Sequence, residues 1–145
     1  MIKFALSYRT TMSTKIFLVF SIFFISIISY SQTAADFTKK GIDAAKASNH
    51  KEAIKNFDYA LTISPSDFNI YVYRAFAKES LKDYKGAIED FDKAISLNPK
   101  DVNIYYNRAL TKYSSGDKKN ACADWKKAVD MGMTEANFII QLYCH

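Results

Sequence analysis

Apolar and small residues recur every three or four positions along most of the chain, in six stretches that short polar breaks separate. The first two stretches carry them at Phe37, Gly41, Ala44, Ala53, Phe57 and Ala60. Asn49 and His50 form the polar break between the two stretches, and Pro65 ends the second. This spacing is that of amphipathic helices with one apolar face, so each pair of stretches predicts two helices joined by a tight turn.

The helix pairs repeat at a fixed interval along the chain. Residues 68–101 match residues 102–135 with thirteen identities and residues 34–67 with eight. In the second and third units the recurring residues are Tyr71, Ala75, Ala87, Phe91, Ala94, Tyr105, Ala109, Ala121, Trp125 and Ala128. A fixed period of this length predicts a stack of small units that bury their apolar faces against one another.

Composition agrees with an all-helical chain and argues against binding of nucleic acid. Hydrophobic residues make up 49% of the 145 residues, with only four Gly and two Pro. Of the net charge of +5, residues 1–31 contribute three through Lys3, Arg9 and Lys15, and the rest carries 17 − 15 = +2. Such a mixed surface does not attract nucleic acid strongly.

Residues 1–31 are predicted to be a secretory signal peptide. Lys15 precedes an uncharged run from Ile16 to Ile28, which is short for a membrane span, and small residues follow at Ser29 and Ser31. Translation from Met12 would still give a complete signal. We therefore expect export to a periplasm or the exterior and a folded domain over residues 32–145, the alternative being an uncleaved membrane anchor.

The chain resembles the tetratricopeptide repeat (TPR) family. The family pattern of aromatic and small residues with a closing proline is met at Tyr71, Ala75, Ala87, Phe91, Ala94 and Pro99. The resemblance implies an all-α, right-handed superhelix of three helix-turn-helix repeats, at 34–67, 68–101 and 102–135. The chain departs from the pattern where Lys40, Arg74 and Arg108 replace the usual leucine, and where Met131-Gly132-Met133 replaces the last proline turn.

Charged pairs and a final helix complete the predicted stack. Arg74 and Asp90 have the same spacing as Arg108 and Asp124, and we expect either an ion pair in each unit or solvated arginines. The first unit has Lys40 and Asn56 at these places. Residues 134–145 are predicted to form a seventh helix that caps the stack, or else binds a peptide. Its expected N-cap is Thr134, and its expected apolar face comprises Phe138, Ile139, Leu142 and Tyr143.

The two cysteines fall at equal distances from the predicted last turn. Cys122 precedes Met133 by as many positions as Cys144 follows it, so antiparallel helices would bring the thiols level. In an exported protein this favours a disulfide. Alternatively, Cys122 is a reduced core residue, since it occupies the place of Ile54 and Ile88.

The sequence offers no convergent set of catalytic groups. His50 lies in a predicted turn and His145 ends the chain, and neither has a metal-ligand or triad spacing. No phosphate-binding glycine loop or nucleophile elbow is present. We predict no enzyme, no metal and no cofactor.

The family resemblance implies a groove, lined by the first helix of each repeat, that receives a peptide or partner helix. The matching positions are Asn69, Val72, Tyr73, Phe76, Asn103, Tyr106, Asn107, Leu110 and Tyr113, together with Thr38, Ile42 and Glu79. Tyr73, Tyr106 and Tyr113 are the preferred binding candidates, whereas Phe76 and Leu110 could instead pack between units.

The carboxylate-clamp subtype of the family is disfavoured, because its cationic positions fall on uncharged residues. The five corresponding residues are Thr38, Ile42, Tyr73, Asn103 and Asn107. The predicted function is a non-catalytic protein-interaction module or scaffold with a protein or peptide partner and no small-molecule substrate. The alternative is a membrane-tethered assembly component, which contacts a membrane only if the N-terminal segment stays uncleaved.

Overall fold

The computed structural model describes residues 33–144, which form seven α-helices and no strand. The helices are α1 (Ala34–Lys46), α2 (His50–Ile63), α3 (Phe68–Ser80), α4 (Tyr84–Leu97), α5 (Val102–Ser114), α6 (Lys118–Asp130) and α7 (Ala136–Tyr143). The predicted all-α superhelix is confirmed. The predicted signal peptide, residues 1–31, lies outside the described residues. Within residues 33–144 no helix has the length and apolar character needed to cross a membrane.

Helix starts and turns repeat with the sequence period. Asn49, Asp83 and Asp117 are equivalent residues of the three units, and their side chains cap α2, α4 and α6 by accepting a backbone N–H. In the turns before them, Ser48, Lys82 and Gly116 have positive φ angles of 60°, 61° and 91°. A glycine adopts this left-handed conformation most easily, yet only the third unit supplies one.

The core is a row of large aromatic rings packed against small residues. Phe57, Phe91 and Trp125 are at most 1% exposed, and the next alanine after each of them is fully buried. Gly41 is needed in the first unit because a Cβ there would lie 2.5 Å from the Phe57 ring. Each unit therefore closes by placing one ring in the space left by small side chains.

Tyrosines tie successive units together. The Tyr71 hydroxyl donates to the Pro65 carbonyl at 3.0 Å, and the Tyr105 hydroxyl donates to the Pro99 carbonyl at 3.3 Å. The equivalent residue of the first unit is Phe37, whose ring instead lies 5.3 Å from that of Tyr59. The hydroxyl is thus present where a preceding proline turn can accept its hydrogen bond.

The predicted arginine–aspartate pairs are present in the second and third units. Arg74 donates from Nε to Asp90 Oδ2 at 2.9 Å and from a terminal nitrogen to Oδ1 at 2.5 Å. Lys78 Nζ lies 2.8 Å from the same carboxylate. Burial alone lowers the pKa of the Arg74 guanidinium, but its hydrogen bonds to Asp90 and Asp58 outweigh burial and raise it.

Each arginine also reaches back to the previous unit, which sequence analysis did not anticipate. Arg74 contacts Asp58 at 2.6 Å, and Arg108, which pairs with Asp124, contacts Asp92 at 2.6 Å. Each bridge therefore joins two repeats as well as two helices. In the first unit Asn56 replaces the buried aspartate, and its amide donates to the Glu52 carbonyl at 2.8 Å.

The final helix differs from its prediction in its start and its buried face. Glu135, not Thr134, precedes the first turn, and neither side chain caps it. The tight turn explains this, since the Asn137 N–H donates to the Thr134 carbonyl instead. The predicted face was wrong for Phe138 and Leu142, which are 69% and 51% exposed.

The face that α7 buries is rotated from the expected one toward the disulfide. Ala136 is fully buried, and Ile139, Ile140 and Cys144 pack against the cluster around Trp125. These positions follow the i, i+3, i+4, i+8 spacing of one helix face. Cys122 and Cys144 form a disulfide with 5.8 Å between their Cα atoms, so α7 is held to α6 covalently.

Arg74 and Arg108 each contact one buried and one exposed aspartate, and the buried one is expected to contribute far more to the free energy of unfolding. Asp90→Asn should lower the free energy of unfolding by about 3 kcal/mol, because it leaves Arg74 and Lys78 without a buried counter-charge. Asp58→Asn should cost less than about 1 kcal/mol, since Asp58 is 54% exposed. Urea denaturation measures both, and equal losses would contradict the assignment.

Removal of the disulfide is expected to loosen α7 first. Cys122→Ala/Cys144→Ala should lower the free energy of unfolding by about 3 kcal/mol on the chain-entropy model. Hydrogen exchange should rise in α7 before α3 and α4, because Ala136 is the only fully buried residue of α7. Two free thiols per chain in air-refolded protein, titrated in denaturant without reductant, would refute the bond.

Candidate protein-binding groove

The first helices of the three units present one face, which we call the groove, that is built from equivalent positions. Helices α1, α3 and α5 begin at the same place in the repeat, so their side chains recur in register. Tyr73 and Phe76 of α3 are each 39% exposed there, and Leu110 of α5 is 37% exposed. The groove is therefore apolar and open to solvent at its centre.

A cavity of about 210 Å³ opens into the groove between the first and second units. Phe57 and Ala77 line it and are almost fully buried, and Ile42 is half-buried. Tyr73 and Phe76 also border it. The Tyr73 ring stacks on the Phe57 ring with centroids 6.0 Å apart, which fixes the side of the cavity that α3 provides.

A wider depression of about 710 Å³ adjoins this cavity, along the length of α1 and beside the first half of α3. The two share Ile42, Lys46 and Tyr73. Thr38 and Asn69, both predicted groove residues, also line the depression. The first two units thus form one continuous surface on which five predicted residues meet: Thr38, Ile42, Asn69, Tyr73 and Phe76.

The predicted residues of the third unit lie closer to the core. Tyr106 is half-buried against the cluster around Trp125. The Tyr113 ring packs on Trp125 and Tyr143, with centroids 5.7 and 4.9 Å away. Tyr113 therefore supports α7 in addition to its predicted place in the groove. Val72 of the second unit is likewise half-buried against the core.

The amide groups of the groove are partly committed to local contacts. Asn69 donates from Nδ2 to its N-cap Asp67 at 3.2 Å, and Asn103 does the same to Asp101 at 3.1 Å. At Asn107 it is the backbone carbonyl, and not the side-chain amide, that accepts a hydrogen bond, from the Thr111 hydroxyl at 3.1 Å. For the side-chain amide of Asn69 or Asn103 to form a bidentate pair of hydrogen bonds with a ligand, its local bond to the N-cap aspartate must break.

Glu79 gives the second interface a polar character that the first lacks. Burial raises the pKa of the Glu79 carboxyl, and a hydrogen bond with Thr111 partly offsets the effect. Thr111 is fully buried. The corresponding residues of the first interface are Ala45 and Ala77. Glu79 therefore places a carboxyl at the second interface where the first has alanine.

Sequence reasoning missed the basic residues beside the first cavity. Lys46 borders both depressions, and Lys39 borders the wider one together with Asp43. Lys39 is the first-unit equivalent of Tyr73, so alignment of the repeats would have predicted that it lies in the groove. His50, predicted to be solvated, also lines the cavity.

Metal chemistry finds no support in the part of the chain that the structure describes. No group of three or more His, Cys, Asp or Glu side chains is arranged there to hold an ion. The arrangement suits contact with an extended chain or a helix, through exposed aromatic rings flanked by amides and charges.

Comparisons with known proteins agree with this fold. Residues 80–116 match a family model described as TPR repeat, and residues 102–131 match one described as tetratricopeptide repeat. Among curated proteins, none matches the chain at a significant level.

Solved structures of TPR domains superpose on the chain at low sequence identity. The Arabidopsis OM64 TPR domain is 24% identical over 68% of this chain and 82% of its own, with a TM-score of 0.64. The first TPR of Spaghetti (RPAP3), bound to the HSP90 peptide SRMEEVD, is 22% identical over 79% and 96%, with a TM-score of 0.69. The Sgt2 TPR domain from Aspergillus fumigatus is 22% identical over 68% and 65%, with a TM-score of 0.64. At these identities the likeness establishes the fold.

The fixed repeat period, the row of core aromatics and the two family matches lead to one assignment. Residues 80–131 match tetratricopeptide repeats, and residues 33–144 have the fold of TPR domains.

Proposed function

We propose that this chain is a non-catalytic protein-interaction module that binds a peptide or a partner helix in the groove. The observation that carries the proposal is the exposure of Tyr73 and Phe76, each 39%, beside a cavity that residues 33–144 leave unfilled. Exposed aromatic rings next to an apolar depression are typical of binding hot spots.

The structural relatives add support from what one of them holds. The Spaghetti (RPAP3) domain is bound to an HSP90 peptide. The present groove lacks cations at Thr38, Ile42, Tyr73, Asn103 and Asn107, the positions that correspond to the carboxylate clamp. We therefore propose a peptide-type partner that the groove recognises mainly through apolar contacts.

The function is proposed to be carried out after export, outside the cytoplasm. Two features support this: the basic and then apolar pattern of residues 1–31, and the disulfide between Cys122 and Cys144. The competing proposal is a tethered assembly component that keeps its apolar N-terminal segment.

Groove binding is tested by substitution of its exposed rings. Tyr73→Ala and Phe76→Ala should each weaken binding of a partner by at least about tenfold, the loss expected for an interfacial aromatic hot spot. The measurement is quantitative mass spectrometry of proteins captured from the source extract, followed by calorimetric titration with the purified partner.

Tyr59→Ala is the matched control for this test. Tyr59 is 48% exposed on α2 and lines neither cavity of the groove. Its substitution should leave capture within about twofold of the parent chain. Capture that survives both groove substitutions and falls with Tyr59→Ala would refute the groove as the binding site.

N-terminal sequencing of the protein from its native source tests export. A mature chain that begins at Gln32 is expected, because cleavage after Ser31 follows the small-residue pattern of signal peptides. Recovery of residues 16–28 in the mature chain would instead support the tethered alternative.

A further inference from the structure

The cavity between the first and second units exists because two positions carry alanine. Ala45 and Ala77 stand where the second interface has Glu79 and Thr111, and His50 stands where it has Tyr84. Thr111 is fully buried and Glu79 is half-buried beside it, so the larger side chains occupy the equivalent space. Small side chains thus leave space at the first interface that larger side chains fill at the second.

The size and walls of this cavity suit one apolar side chain. Its volume of about 210 Å³ is below the roughly 300–1,000 Å³ of sites for drug-sized ligands. A core cavity of about 150 Å³ is enough to bind benzene. Phe57 is 1% exposed and forms one wall, and the rings of Tyr73 and Phe76 stand at the mouth. A phenylalanine-type ring can meet these rings in tilted or stacked contact.

Charge beside the cavity indicates what should flank that side chain. Lys46 borders the cavity and Lys39 the adjoining depression, and within residues 33–144 neither forms a salt bridge with a carboxylate. The depression also contains Asp43 and Asp67, whose charges balance those of Lys39 and Lys46 there. Lys46 is the one Lys, Arg, Asp or Glu among the residues that line the cavity itself, which favours an acidic residue on the ligand beside the cavity.

We infer that the first interface is an anchor site for an extended peptide, whose aromatic side chain enters the cavity while an adjacent acidic residue faces Lys46. This inference rests on the proposed function and makes it specific. It assigns the energetic centre of binding to α1, α2 and α3, leaving α5 to contact the ligand more weakly.

Three short peptides test the chemistry of the ligand. The first is acetylated Gly-Ser-Asp-Phe-Asp-Ser-Gly amide, and the others replace Phe by Ala or both Asp by Lys. Binding to the purified chain is followed by amide shifts in ¹H–¹⁵N spectra. The Ala peptide should bind at least about tenfold more weakly, from the loss of a buried ring. The Lys peptide should lose about threefold or more, and the difference should shrink in high salt.

Variants that fill the cavity test its location. Ala77→Thr copies the residue that α5 already buries, and Ala45→Leu fills the cavity from its half-buried rim. Each should weaken the Phe peptide about tenfold. Tyr59→Ala, on α2 and outside both the cavity and the depression, should change binding by less than about twofold. Wild-type affinity in both filled variants, with unchanged melting temperatures, would overturn the inference.

The outcome is separable from that of the proposed function. If capture of a partner is lost with Tyr73→Ala and Phe76→Ala but survives both filled variants, the groove binds its partner and the anchor site is wrong. If capture survives all four substitutions, the proposed function fails as well.

Discussion

The structure depends on one packing relation that recurs once in every repeat. A large ring, at Phe57, Phe91 or Trp125, is buried against small residues of the neighbouring helices. Gly41 shows how tight this contact is, because a single Cβ would collide with the Phe57 ring. The clusters around Phe57 and Phe91 also contain Ile70 and Ile104 of the following unit, and α7 packs on the cluster around Trp125, so stability depends on contacts between neighbours. Removal of one ring should therefore affect the adjacent unit as well.

The same relation leaves one face of α1, α3 and α5 open to solvent, and this face is the groove proposed to hold a partner. Side chains on that face need not fill the core, so they vary from unit to unit where the core does not. Lys39, Tyr73 and Asn107 share one position, and Ala45, Glu79 and Tyr113 share another. At the second position, Ala45 leaves the first interface open and Glu79 places a carboxyl at the second. In the third unit, Tyr113 packs against Tyr143 of α7. The proposed function thus depends on how the repeats differ.

Sequence alone predicted the helices, the ring positions and the Arg74–Asp90 spacing, since each follows from the period of helices and of the repeat. It did not predict contacts that depend on the rotation of a helix or on the placement of one unit against the next, because the repeat period fixes neither. The rotation of α7 that exposes Phe138 follows from burial of Ala136 and the turn at Gly132. The bridge from Arg74 to Asp58, and the cavity beside Ala45 and Ala77, arise between units, where their relative placement decides which side chains meet.

Hydrogen exchange of the chain with and without its captured partner tests the central claim most directly. The account predicts that binding slows exchange in α1 and α3, whose side chains border the open groove, and leaves α4 and α6 unchanged. Protection confined to α4, α6 or α7 would contradict it, because the partner would then occupy a surface other than the groove.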